Sequence, residues 1–226
     1  MYCASSGPYA ARMPAPGAAD VYATARGRLR ARVLGPLAAR ARARRHAEFF
    51  GRTGVRPGMR VVDVGCGSLG LRALEPGLDI TGVDLAPRPG YPGPFVQADA
   101  TERLPFADGE FDLAYSSSVI EHVPPERRAA FAAEVKRVAR GWFVQTPARS
   151  FPIEPHALLP VAHWLPVSLR RRYWRLGAMG HWEDIRLLGR RELETLFGPA
   201  APERIGPLTK SWVCVRPVTA APRAAP

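Results

Sequence analysis

The residues with the clearest chemical potential in this chain are glycines set between acids. Asp63, Gly65, Cys66 and Gly67 stand as D-x-G-C-G, and Gly70 completes a G-x-G-x-x-G turn. Missing side chains let a backbone bend tightly there and let a ligand approach the amides at the start of the next helix. Asp84 ends the following apolar run, at roughly the 20-residue spacing at which a second-strand acid meets ribose hydroxyls. A nucleotide-like cofactor fits such a turn. Asp63, lying inside the first strand, would repel a pyrophosphate and would instead hold a cationic amino-acid tail. A second set of residues can move protons: His122, His156 and His181, with Glu154 behind them. Imidazole titrates near pH 6.5, so each could accept a proton from an acceptor hydroxyl, and His122 could equally be structural.

These groups need a scaffold, and the apolar pattern supplies one. Val61, Val62 and Val64 form a β-branched run suited to a strand buried on both faces of a parallel sheet. Further strands are expected at Ile80 to Val83, Phe95 to Ala98, Leu113 to Tyr115 and Trp142 to Gln145. Ser116, Ser117 and Ser118 then line the fourth strand's C-terminal end, the edge where open α/β sheets bind ligands. A short helix is predicted near Leu71 to Glu75, and another from Pro124-Pro125-Glu126 to about Val138, opened by proline and an acid. Pro87, Pro89, Pro92 and Pro94 predict a loop where a crossover helix would ordinarily lie. Glu192 to Phe197 reads as a last helix, and Ala201 to Ile205 with Ser211 to Val215 as a closing antiparallel pair.

Two stretches resemble a known family. Val61-Val62-Asp63-Val64-Gly65-Cys66-Gly67 and Leu104-Pro105-Phe106-Ala107-Asp108-Gly109-Glu110-Phe111-Asp112 are similar to the motifs of class I S-adenosylmethionine-dependent methyltransferases, type 11 in particular. The resemblance runs in order from about Val55 to Arg216. It implies an α/β fold: a Rossmann-like sheet of seven strands, mostly parallel with an antiparallel final strand, and helices on both faces. It also implies an N-terminal helical cap (21–50), within one domain spanning 21–216; the stretch after strand five (147–189) is not common scaffold, and because it leaves the ligand-binding edge of the sheet it is expected to be a substrate lid. The implied cofactor is S-adenosyl-L-methionine, held by Asp63, Gly65, Cys66, Gly67, Asp84, Leu85, Asp99, Ala100, Ser116 and Ser117. Asp99 would accept from the adenine amino group; the alternative is a helix N-cap. The catalytic candidates are His122, His156, His181 and Glu154, and no metal is expected, because a sulfonium already activates its methyl group.

Composition bounds the rest. A chain of 226 residues suits one α/β domain with appendages. Residues 1–20 are poor in apolar side chains and are expected to be disordered, as is the tail 217–226. The net charge of +12 comes from a basic set in which only Lys136 and Lys210 are lysines. With so many alanines, glycines and prolines, that arginine excess reads as the composition of a GC-rich bacterial genome, and no dedicated nucleic-acid site is expected. Three cysteines without close spacing indicate neither a disulfide framework nor a zinc site, which fits a cytoplasmic protein. The favoured function is O-methylation of a small molecule: a glycan, a lipid-linked compound or a secondary metabolite. RNA methylation and a non-catalytic cofactor-binding module are the alternatives. Residues 157–175, apolar and followed by arginines, are a lid in the first reading and a peripheral membrane contact in the second.

Overall fold

The computed structural model describes residues 47–177 and 185–218. The predicted cap falls almost wholly outside that range; its last residues enter helix α1 (47–53). The sheet contains β1 (Arg60–Val64), β2 (Asp79–Asp84), β3 (Phe95–Gln97), β4 (Phe111–Ser117), β5 (Ala139–Pro147), β8 (Ala200–Ile205) and β9 (Leu208–Arg216), in the order β3-β2-β1-β4-β5-β9-β8. Strands β1 to β5 pair in parallel, and β9 runs antiparallel to both neighbours. This is the expected Rossmann-like arrangement.

Alternation along the strands builds a core on each face of the sheet. Val61, Ile80 and Leu113 point one way and pack with Phe49, Val55 and Leu71. On that face Phe49 meets Tyr115 and Phe143 edge-on, at centroid distances of 5.6 Å. Val62, Val83, Ala114 and Val144 point the other way, onto α2 (Arg128–Val138) and α4 (Arg190–Phe197), through Phe131, Val135, Leu193 and Phe197. Phe131, Val135 and Val138 recur at helical spacing and form the buried stripe of α2. Where a helix was predicted after the glycine turn, only a single 3₁₀ turn forms, Leu71–Ala73. The predicted loop after β2 is present, and its Tyr91 is buried. The first two residues of the expected loose tail are anchored, since the Val218 amide donates to Thr53 O at 2.7 Å.

The insertion after β5 carries its own small core. A two-stranded ladder, β6 (Ile153–Glu154) with β7 (Leu159–Pro160), leads to a 3₁₀ turn (Ala162–Trp164) and to α3 (Val167–Tyr173). Ala157, Leu159, Ala162, Trp174 and Ile185 pack together there. Among the described residues, no helix is long and apolar enough to cross a membrane.

Candidate cofactor and acceptor site

The glycine turn leaves β1 at its C-terminal end. Gly65 and Gly67 have φ of 77° and 59°, the left-handed region where a side chain is strained. The two differ in what surrounds them. A Cβ on Gly65 would strike Val119, which leans over the turn from the segment after β4, whereas one on Gly67 would meet nothing within 4 Å. Gly65 is therefore fixed by packing, and Gly67 opens onto free space.

Asp84, at the end of β2, faces that space. Its Oδ2 accepts from the Gly67 amide at 2.9 Å, and its Oδ1 accepts from the Ala86 amide at 2.9 Å and from Arg88 at 3.2 Å. A carboxylate offers about four lone-pair positions, so three donors leave room for a hydroxyl, and the exposed face of the turn fits a ribose-bearing ligand. Ser116, level with the end of β1 by the register that pairs Asp63 with Tyr115, has a buried hydroxyl with no hydrogen-bond partner among the described residues. Cys66 is buried against the turn, and burial above all, then the charges of Asp63 and Asp84, pushes its thiol up to about 12. Leu85 and Ala100 lie half-buried along the same edge.

Two acids are placed differently from the sequence expectation. Asp63 points beneath the turn, only 2% exposed, and its Oδ2 accepts from the Leu71 amide at 2.6 Å. It holds the turn together from below; a tail lying on the turn would not meet it directly. Burial raises its carboxyl to about 7 against the lowering by the Leu71 amide. Asp99 closes a turn on Thr101, accepting from its amide at 2.8 Å and its hydroxyl at 2.6 Å, and pairs with Arg127 at 3.2 Å. No helix follows it, so this is a side-chain turn and not a helix cap, and it is tied down by an arginine whose role the sequence did not signal.

The proton-moving candidates gather beyond β4 and β5. Ser118 has φ of 57°, an uncommon value for a non-glycine residue, and turns the chain after β4. Ser117 meanwhile donates to Gln145 on β5 at 2.6 Å. The chain then enters a 3₁₀ turn, Ile120–His122. His122 and His156 meet ring edge to face, centroids 5.0 Å apart. Glu154 is buried, and one oxygen lies 2.8 Å from His156 Nδ1 while the other accepts from the Ala157 amide at 2.5 Å. It orients His156 and stands behind it rather than facing a substrate. His181 lies outside the described residues. Glu121 escaped the sequence reading, although it is 1% exposed and takes the Thr146 hydroxyl at 2.9 Å. The Glu-His dipeptide was its only visible signal. His163 joins Trp164 on Arg149 O in the insertion, at 3.0 and 2.8 Å.

Comparison with known proteins agrees with this geometry. The profile of a methyltransferase domain family matches residues 62–144, from β1 through β5. A 2-methyl-6-phytyl-1,4-hydroquinone methyltransferase from Synechocystis is 30% identical over 131 residues, 52% of this chain and 36% of that protein. An uncharacterised methyltransferase from Mycobacterium sp. strain KMS is 40% identical over 98 residues, 39% of this chain and 38% of that protein. The matched stretch thus spans little more than a third of either relative. The crystal structure of the PH0226 protein from Pyrococcus horikoshii OT3 shares the fold, with a TM-score of 0.55 at 20% identity over 85% of this chain and 91% of that one. Glycine turn and strand order are those of a Rossmann-like methyltransferase fold, and residues 62–144 are similar to the methyltransferase domain family.

Proposed function

We propose that the protein transfers a methyl group to a hydroxyl of a small-molecule acceptor. The observation that carries this reading is the pairing of two half-sites on one sheet edge: Asp84 with the open face of Gly67, and the Glu121, His122, His156 and Glu154 cluster beyond β4 and β5. Bound S-adenosylmethionine would supply a methyl carbon activated by its sulfonium. The chain's own residues align and shield. In the transfer, the acceptor oxygen bonds to the methyl carbon, the carbon–sulfur pair passes to sulfur, and the hydroxyl proton must leave. A carboxylate-oriented imidazole at the acceptor side serves that last need, and the inserted lid with its own apolar core would exclude water.

Calorimetry with S-adenosylhomocysteine tests the cofactor half. Asp84→Ala should weaken binding by about 1.5–3 kcal/mol, the value of a charge-assisted hydrogen bond. Equal affinity in a folded Asp84→Ala variant would defeat the assignment.

A specific observation favours a second description of the acceptor. Trp164, Val167, Leu169 and Leu176 are more than half exposed on the lid, beside exposed Arg171, Arg172 and Arg175. Apolar side chains among arginines suit an anionic lipid surface, and the hydroquinone named for the Synechocystis relative carries a phytyl chain. A lipid-linked phenol or glycan is the corresponding acceptor class.

A further inference from the structure

We infer that Glu121, His122 and His156 form a binding site for a divalent first-row transition-metal ion at the acceptor side. One ligand atom from each residue lies within 4.8 Å of the other two. The argument starts from the protons. Glu154 accepts at 2.8 Å from His156, and a carboxylate can only accept, so Nδ1 carries the hydrogen and Nε2 presents its lone pair. That lone pair faces Glu121 Oε1 at 3.6 Å. Oε1 belongs to a carboxylate that is 1% exposed, and it has no hydrogen-bond partner among the described residues. Two acceptors turned towards each other in a buried place repel unless positive charge sits between them.

Either a second proton on His156 or a cation can supply that charge. The third ligand selects the cation. His122 projects from the same 3₁₀ turn as Glu121 and brings its ring against His156, an arrangement that a lone proton does not require. Metal–nitrogen and metal–carboxylate bonds of about 2.0–2.2 Å put neighbouring ligands roughly 3.4 Å apart around a tetrahedral ion, close to the 3.6 Å between His156 Nε2 and Glu121 Oε1, and the His122 nitrogen, within 4.8 Å of both, has to close in by little more than an ångström at most. Two imidazoles and one carboxylate suit zinc, manganese, iron(II) or cobalt better than magnesium or calcium, which favour oxygen. The His156–Glu154 pair is the carboxylate behind a metal-bound imidazole that fixes tautomer and ring orientation. The Thr146 hydroxyl holds the other oxygen of Glu121 in the same way. Three protein ligands leave a position open to an acceptor hydroxyl; with His156 Nε2 engaged by the ion, the ion's charge would take over from the imidazole in promoting loss of that proton, which passes to water. Only that use of the ion depends on the methyl-transfer reading; its binding does not.

The test uses the full chain without an affinity tag, stripped by chelator and titrated with Co²⁺ under visible spectroscopy and with Mn²⁺ under electron paramagnetic resonance. One ion per chain is expected. Glu121→Gln, His122→Ala and His156→Ala should each weaken binding at least tenfold, and Glu154→Gln by roughly 10–100-fold as an orienting residue. Melting curves confirm folding; should Glu121→Gln fail to fold, the two histidine variants carry the test, since His156 is partly exposed. Failure of the folded wild type to take up one ion, or uptake unaffected by the histidine variants, would overturn the inference and leave a proton between Glu121 and His156. Calorimetry with S-adenosylhomocysteine on the same samples separates the two readings. Cofactor binding without the ion refutes only the metal site, and ion binding without cofactor refutes only the methyl-transfer reading.

Discussion

Asp63→Asn converts the buried acid beneath the glycine turn into a measurable pH dependence. The folded carboxyl titrates near 7 because burial disfavours its charge, against an ordinary value of 3.8 once unfolded. Between those values the folded state keeps a proton that the unfolded state has released, so the Asp63 contribution to stability falls as pH rises through this window and levels off above about 7. A shift of about 3 units corresponds to at most about 4 kcal/mol. Cys66 and Tyr91 beside it stay neutral throughout, because burial holds the thiol at about 12 and also raises the phenol. Asparagine keeps an oxygen for the Leu71 amide but cannot ionise. Its new amide hydrogens cost about 1–3 kcal/mol if unpaired, an offset independent of pH. Urea unfolding of both proteins from pH 5 to 8.5 gives the stability difference, which should move by ~2–3 kcal/mol in favour of the variant as pH rises, since only the part of the window above pH 5 is sampled. A difference that stays constant with pH would refute the assignment of a protonated Asp63.

Two further perturbations probe what surrounds the site. Gly65→Ala should cost about 2–4 kcal/mol in unfolding free energy, since φ of 77° is strained for alanine and Val119 occupies the needed space; adding Val119→Ala should recover only the steric part, and full recovery would show that the backbone angle is harmless. Arg128→Met should destabilise by about 2–4 kcal/mol in denaturant, because this buried guanidinium holds Val123 O at 3.1 Å, Arg186 O at 2.5 Å and Glu192 at 2.5 Å; a change under about 0.5 kcal/mol would show that the network is replaceable.

The sheet was legible because its signals are local. Val61 to Val64, Ile80 to Val83 and the apolar stripe of α2 each announce their element within a few residues, and the seven-stranded, mostly parallel sheet with its antiparallel final strand is the one that the motif resemblance implies. Local signals also locate the proline loop after β2. They do not report that Tyr91 would swing from this loop to lie against Gly70 and Gly82, or that Arg88 would settle on Asp84. The direction of a side chain was the commonest thing hidden. Asp63 faces down because Gly70 leaves room for its carboxylate and the Leu71 amide offers a donor there, a matter of turn geometry rather than residue type. Asp99 pairs with Arg127 across 28 positions of sequence. Glu121 and His156 belong to different segments, and their approach depends on how the chain leaves β4 at Ser118 and returns through the β6–β7 ladder.

The segment from Val119 to Val123 is where these separate parts are coupled. Its first residue presses on Gly65 and so bears on the glycine turn. Two residues later, Glu121 joins β5 through Thr146 and meets His156 of the insertion, while its backbone oxygen accepts from the Arg186 amide at 3.0 Å. Val123 in turn gives its carbonyl to Arg128, which also grips Arg186 O. A five-residue stretch therefore touches the glycine turn, the Glu121–His156 cluster and the insertion at His156 and Arg186. Loops positioned by a rigid sheet commonly carry function, and here one loop also sets the distance between the two half-sites that the proposed methyl transfer would have to align. Substitutions in it should consequently disturb cofactor and acceptor sides together, whereas a change confined to β8 or the exposed face of α4 would leave both untouched.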